Sequence, residues 1–154
     1  MELFDAIFKR LGAHDRPPTG PNDLQVAVAV LLVEAARMDD TFEAKERAAI
    51  EHLLAAKFEL SAESTRTLIE RAETTAKRTA QLHPFTRLAV EKMEPKERIR
   101  LIEMLWEVAY ADGVLDPEED MLLRRVAGLV YVSDPDRIAA RQRVVARLGP
   151  KVNN

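Results

Sequence analysis

Along most of the chain, apolar residues recur three and four positions apart, the spacing that gives a helix one apolar stripe. Leu3, Phe4, Ile7, Phe8 and Leu11 follow it, so the first eleven residues read as a short amphipathic helix docked on the core. Gly12 to Asn22, with Pro17, Pro18, Gly20 and Pro21, breaks the pattern and reads as a loop or linker. From about Leu24 to Met38 a helix is expected, with Asn22 or Asp23 as its cap. Val26, Val28 and Val30 alternate as a strand would, but the Leu-Leu-Val-Glu-Ala-Ala continuation is too long and too rich in alanine. A second helix, about Glu43 to Lys57, places Ala49, Ile50, Leu53 and Leu54 on one face.

Ser61 opens a long helix toward Leu82, with Leu68, Ile69, Ala72 and Ala76 inward. His83-Pro84 is expected to break it, and a shorter helix follows to Met93. Glu94-Pro95 starts the next, striped by Ile99, Ile102, Leu105, Trp106 and Ala109 and ending at Asp112-Gly113. Asp116-Pro117 starts another, with Met121, Leu122, Val126 and Leu129 inward. The run Ser133-Asp-Pro-Asp136 reads as a capping box for a last helix that ends near Leu148-Gly149-Pro150. No segment reads as a strand. The expected fold is all-α, a compact bundle of seven or eight helices.

Composition sharpens this in three ways. Five glycines among 154 residues, with Ala, Leu, Glu and Arg dominant, favour helix throughout. The absence of cysteine excludes disulfides, thiolate zinc sites and a cysteine nucleophile. A net charge of −3 gives no overall pull toward nucleic acid. The longest apolar run, Val26 to Val33, falls well short of the roughly 20 residues that span a bilayer. Residues 1–11 carry Glu2 and Asp5 and lack the basic-then-apolar order of a signal peptide, so a cytoplasmic location is expected.

Laying Leu31 to Phe58 over Met104 to Tyr131, at an offset of 73, aligns two helix–acidic turn–helix units, and an internal duplication is expected. Leu32 meets Leu105, Glu34 meets Glu107, Ala36 meets Ala109, Asp39 meets Asp112 and Glu46 meets Glu119. The acidic turn has two readings. In one, Gly113 ends a helix, Asp116 caps the next, Pro117 takes its first position and Glu119 completes a capping box. In the other, the acids bind a cation. Asp112, and Asp39 in the first unit, stand at helix C-terminal ends, where the macrodipole disfavours a carboxylate. The spacing from Asp112 to Glu119 also matches the second half of an EF-hand loop, but the first and third positions of that loop would be Val108 and Tyr110, so a true EF-hand is not expected. Convergence of Asp39, Glu46, Asp112 and Glu119 would make an oxygen site for a hard divalent cation such as Ca²⁺ or Mg²⁺.

The paired helix-end aspartates, the hydrophobic residue after each and the glutamate seven positions on resemble the tellurite-resistance TerB-like family, over roughly Leu24 to Val132. The resemblance implies an all-helical fold with a duplicated unit and a link to bacterial tellurite and stress resistance. It also implies metal binding by Asp39, Glu46, Asp112 and Glu119, with Asp116 fitting the same pattern. In the first unit, Met38-Asp39-Asp40 stands where the second has Ala111-Asp112-Gly113, and Glu43 stands in place of Asp116. On this basis residues 1–22 form an N-terminal amphipathic helix and linker, and residues 23–154 a TerB-like helical domain.

Nothing else in the chain suggests chemistry, so a non-enzymatic role is expected, with a divalent cation as the only cofactor. Ser61, Ser64 and Ser133 lie at helix starts, where capping explains them, and His14, His52 and His83 are scattered. Trp106 reads as core. The last segment carries Arg137, Arg141, Arg143, Arg147 and Lys151, which reads as a solvated basic face or as a dock for an acidic partner or lipid headgroups. A protein partner is expected, nucleic acid is not, and membrane contact is at most peripheral.

Overall fold

A helix that is apolar all round is stable only when neighbours cover its whole circumference. The computed structural model, which describes residues 22–36, 44–79, 81–111, 114–115, 117–149 and 152–153, arranges the chain around one such helix. Helix α1 (Asp23–Ala36) buries Val26 to Val33, Ala35 and Ala36, none more than 1% exposed. Five helices surround it: α2 (Ala44–Phe58), α3 (Ala62–Arg78), α4 (His83–Lys92), α5 (Pro95–Ala109) and α6 (Pro117–Leu129). Helix α7 (Asp134–Leu148) packs on α5 and α6 from outside. The described residues are thus an all-α bundle of seven helices. One short parallel pairing, Val114–Leu115 (β1) with Val152–Asn153 (β2), supplements it. The amphipathic helix and linker expected over residues 1–21 lie outside the described residues.

Side chains at the helix starts set where each element begins. Asn22 caps α1: its Oδ1 accepts from the Gln25 N–H at 2.8 Å, and Gln25 Oε1 accepts from the Asn22 N–H at 3.3 Å. Ser61 caps α3 by accepting from the Ser64 N–H, and Ser133 caps α7 by accepting from the Asp136 N–H. Three expectations are corrected. Helix α3 ends at Arg78, with Thr79 extended, rather than running to Leu82. His83-Pro84 does not break a helix but opens α4, because a proline in the first turn lacks only an N–H that would have no helical partner. Met121, expected inward, is 70% exposed.

Helix α5 is buried along Leu101, Ile102, Met104, Leu105, Trp106, Val108 and Ala109, and α7 closes over it with Ala140 and Val144. Ion pairs complete that contact. Arg143 Nε donates to Glu103 Oε2 at 3.0 Å and Arg147 Nη1 to Glu103 Oε1 at 2.6 Å. Arg147 Nη2 donates to Glu107, which also accepts from Arg100 Nη1 at 3.0 Å. Arg141 Nε donates to the Tyr110 hydroxyl at 3.1 Å, and its guanidinium lies 5.4 Å from the centre of the Trp106 ring. Arg137 is 8% exposed. The basic segment is therefore not a free solvated face, since Arg141, Arg143 and Arg147 tie α7 to α5 and its C-terminal cap.

Burial by itself raises the Glu103 pKa, but hydrogen bonds from Arg147 and Arg143, with their charges, overcome it and hold the carboxyl below its ordinary value. The Arg147 pKa is raised, chiefly by its hydrogen bond to Glu103. A depressed carboxyl pKa contributes stability that is present above the unfolded-state value and is lost as pH falls through the folded value. Glu103→Gln is expected to cost about 1–3 kcal/mol at pH 7. Urea denaturation from pH 7 to pH 3 should show a shallower loss of stability below about pH 4.5 in the variant than in the parent. Parallel pH curves would assign the acid sensitivity to another group.

Candidate functional site

The two helix pairs singled out by the sequence, α1 with α2 and α5 with α6, meet at the centre of the bundle. Helix α1 packs on α5, α2 packs on α5, and α6 packs on α1, so each second helix touches the first helix of the other pair. Aligned positions share their environments. Leu32 and Leu105 are fully buried, Ala36 and Ala109 are both 1% exposed, Ile50 and Leu123 are fully buried, and Leu53 and Val126 are also buried. Phe58 and Tyr131 differ, the first packing against the core and the second 78% exposed.

The likeness runs further than the acidic units, at an offset of 72 rather than 73. Glu59 and Tyr131 have left-handed backbones, with φ of 53° and 60°. After each, an apolar residue donates its N–H five positions back, Leu60 to the Ala55 carbonyl at 3.1 Å and Val132 to the Ala127 carbonyl at 2.9 Å. Both are Schellman-type helix ends, which satisfy carbonyls that the finished helix would leave without partners. Ser61 and Ser133 then cap α3 and α7, and buried Thr65, Leu68 and Ala72 align with buried Arg137, Ala140 and Val144. Sequence comparison over Leu31 to Phe58 stopped short of this third helix. The capping serines 72 positions apart were the available signal.

Of the five predicted ligands, the structure places two. Glu46 lies in the first turn of α2 and Glu119 in the first turn of α6, at matching positions, 3% and 5% exposed. Neither residue is without a partner. A first-turn carboxylate gains from the positive end of the macrodipole, yet its removal from water is costly unless hydrogen bonds or a cation oppose it. Asp39, Asp112 and Asp116 lie outside the described residues. Among the described residues, no group of three or more His, Cys, Asp or Glu side chains is gathered as a ligand set.

The EF-hand comparison can be closed. Val108 is fully buried within α5 and Tyr110 keeps helical dihedrals at its C-terminal cap, so the first half of such a loop is helix here. His52 and His83 are exposed on separate helices, and Trp106 is fully buried. No described helix is long and apolar enough to cross a membrane.

A family model described as "Tellurite resistance protein TerB" matches residues 25–142, a span that starts inside α1, ends inside α7 and takes in the five helices between. No curated protein and no solved structure matches the chain.

The matched burial of Glu46 and Glu119 has a measurable consequence. Glu46→Ala and Glu119→Ala are each expected to lower stability by about 1–3 kcal/mol, since each removes a buried side chain together with the interaction it makes. Exposed Glu63→Ala on α3 should change it by less than about 0.5 kcal/mol. Chemical denaturation of the three variants checks this, and losses at Glu46 and Glu119 no larger than at Glu63 would mean that the two buried acids hold nothing together.

Proposed function

The chain belongs to the tellurite resistance TerB family, and on that premise we propose that it is a non-enzymatic stress-resistance module whose two acidic turns hold one divalent cation. The observation that carries the reading is the burial of Glu46 and Glu119 at matching positions of matching helices. Helix capping accounts for an acid in a first turn but gives no reason to withdraw it from water. A cation would also offset the repulsion that the sequence pattern implies for Asp39 and Asp112 as acids at helix C-terminal ends. The donor set suits the group: Asp39, Glu46, Asp112, Asp116 and Glu119 offer only carboxylate oxygens, the ligands that Ca²⁺ and Mg²⁺ prefer.

The packing of α2 on α5 and of α6 on α1 supports a shared origin of the two units as a duplicated helix–acidic turn–helix element. Tellurite itself need not be a ligand, because the link to it comes from the family's name and not from any residue of this chain. The second reading is a protein-interaction scaffold in which the acids only cap helices. It is favoured by Pro117 at the first position of α6 and Glu119 in that same first turn. The proposed compartment is the cytoplasm, and the proposed partner a protein.

Calorimetric titration of the metal-stripped protein with Ca²⁺, Mg²⁺, Mn²⁺ and Zn²⁺ separates the two. On the cation reading, one of them binds saturably, and Asp39→Asn and Asp112→Asn each abolish the heat. At a free concentration 100 times the dissociation constant, the cation should add about 2.7 kcal/mol of stability, a rise of several degrees in Tm. Absence of heat and of any Tm change with all four cations would leave the scaffold reading.

A further inference from the structure

Between α2 and α5 a recess of about 220 Å³ opens to solvent, lined by Leu53, Ala56 and Lys57 from α2 and by Arg100 and Met104 from α5. It begins seven residues along α2 from Glu46, about 10 Å of helix away, and neither Glu46 nor Glu119 lines it. Positions 53, 56 and 57 share one face of α2, and positions 100 and 104 share one face of α5. Leu53 and Met104, 4% and 1% exposed, make an apolar floor, and the two cationic side chains stand at its edge.

The rim has donors to spare. Lys57 is four-fifths withdrawn from solvent, with a side chain 18% exposed, yet its ammonium lies 3.6 Å from Glu97, beyond hydrogen-bond distance, and 5.8 Å from the centre of the Phe58 ring. Arg100 engages Glu103 at 3.3 Å and Glu107 at 3.0 Å through Nη1 alone, which leaves Nε and Nη2 for another acceptor. Those two glutamates are already shared with Arg143 and Arg147. Of the charged side chains, Lys57 and Arg100 line the recess, and the ion pairs they enter join Lys57, Arg100, Arg143 and Arg147 to Glu97, Glu103 and Glu107, four cations against three carboxylates. One negative charge completes the balance, and an apolar body covers the floor.

We propose that this recess binds a small organic monoanion, a short-chain aliphatic carboxylate, with its head between Lys57 and Arg100 and its alkyl chain on Leu53, Ala56 and Met104. The volume is that of about seven liquid water molecules, which suits a chain of roughly four to six carbons and is below the ~300 Å³ at which drug-sized pockets begin.

Solution NMR of the whole chain, following backbone amides and methionine methyls, tests the assignment with three probes. Hexanoate carries both charge and tail, acetate only the charge, and 1-hexanol only the tail. Hexanoate should saturate with a dissociation constant on the order of 1 mM, moving the Leu53 to Lys57 amides and the Met104 methyl, and acetate and hexanol should each bind about ten-fold more weakly. Lys57→Met keeps an apolar stem while removing the charge, and should weaken hexanoate at least about five-fold with the rest of the spectrum unchanged. Arg100→Gln should do the same, and because Arg100 also braces Glu107, the Lys57 variant decides if that protein unfolds. Unsaturated or scattered shifts at about 20 mM hexanoate, or undiminished binding in Lys57→Met, overturns the proposal. Equal affinity for acetate and hexanoate overturns the role of the apolar floor.

Discussion

Helix α1 buries ten of its fourteen residues with almost no residual exposure, and every other contact in the bundle is arranged around covering it. Each Val or Leu side chain moved fully out of water contributes roughly 1.5–3 kcal/mol. Six such side chains in succession with alanines offset much of the entropy lost in ordering the helices around them. The small alanines at positions 27, 29, 35 and 36 let neighbouring helices approach closely, which is how five helices find room against four turns.

Helix α5 is the counterpart of α1 and solves the same problem differently. Its inner face is apolar, but its outer face carries Arg100, Glu103 and Glu107, so the helix that covers it must bring charge as well as alanine and valine. Helix α7 does so with Arg143 and Arg147, whereas α3, in the corresponding position on α1, is inserted through Leu68, Ile69 and Ala72. Two halves of similar layout thus differ in what binds their third helix, one apolar and one ionic. The second half carries an ion-pair network across its third helix, whereas in the first half an ion pair, Arg47 with Glu73, joins α2 to α3, and such exposed pairs are the ones that salt screens and acid titrates.

The all-helical class, the boundaries of α1 and α2 to within two residues and most inward-facing positions were legible because they depend on local periodicity and capping residues. Three features were not. Pro84 looked like a stop because a proline is equally suited to ending one helix and starting the next, and only the fold shows which. The arginines of α7 looked solvated because nothing in a helix's own pattern reveals a glutamate on a partner 40 residues earlier. Met121 fits the apolar stripe of α6 by spacing, yet at that angle no neighbouring helix reaches it. At the acidic turns, the sequence identified Glu46 and Glu119 as a pair, but their burial depends on tertiary packing, which a helix's own periodicity does not record.

That burial is the most discriminating fact about the turns. A glutamate that serves only as a first-turn cap gains from the helix dipole whether or not water surrounds it, so capping is indifferent to depth. Depth adds a desolvation cost, and a fold under no other demand places an acid on the outer side of the first turn, as it does Glu63 in α3. Here the same fold places two acids on the inner side, at equivalent positions of helices whose first partners cross at the centre of the bundle. At both positions that cost is met, since neither glutamate is without a partner. A role that unites the two units accounts for that arrangement better than two independent caps.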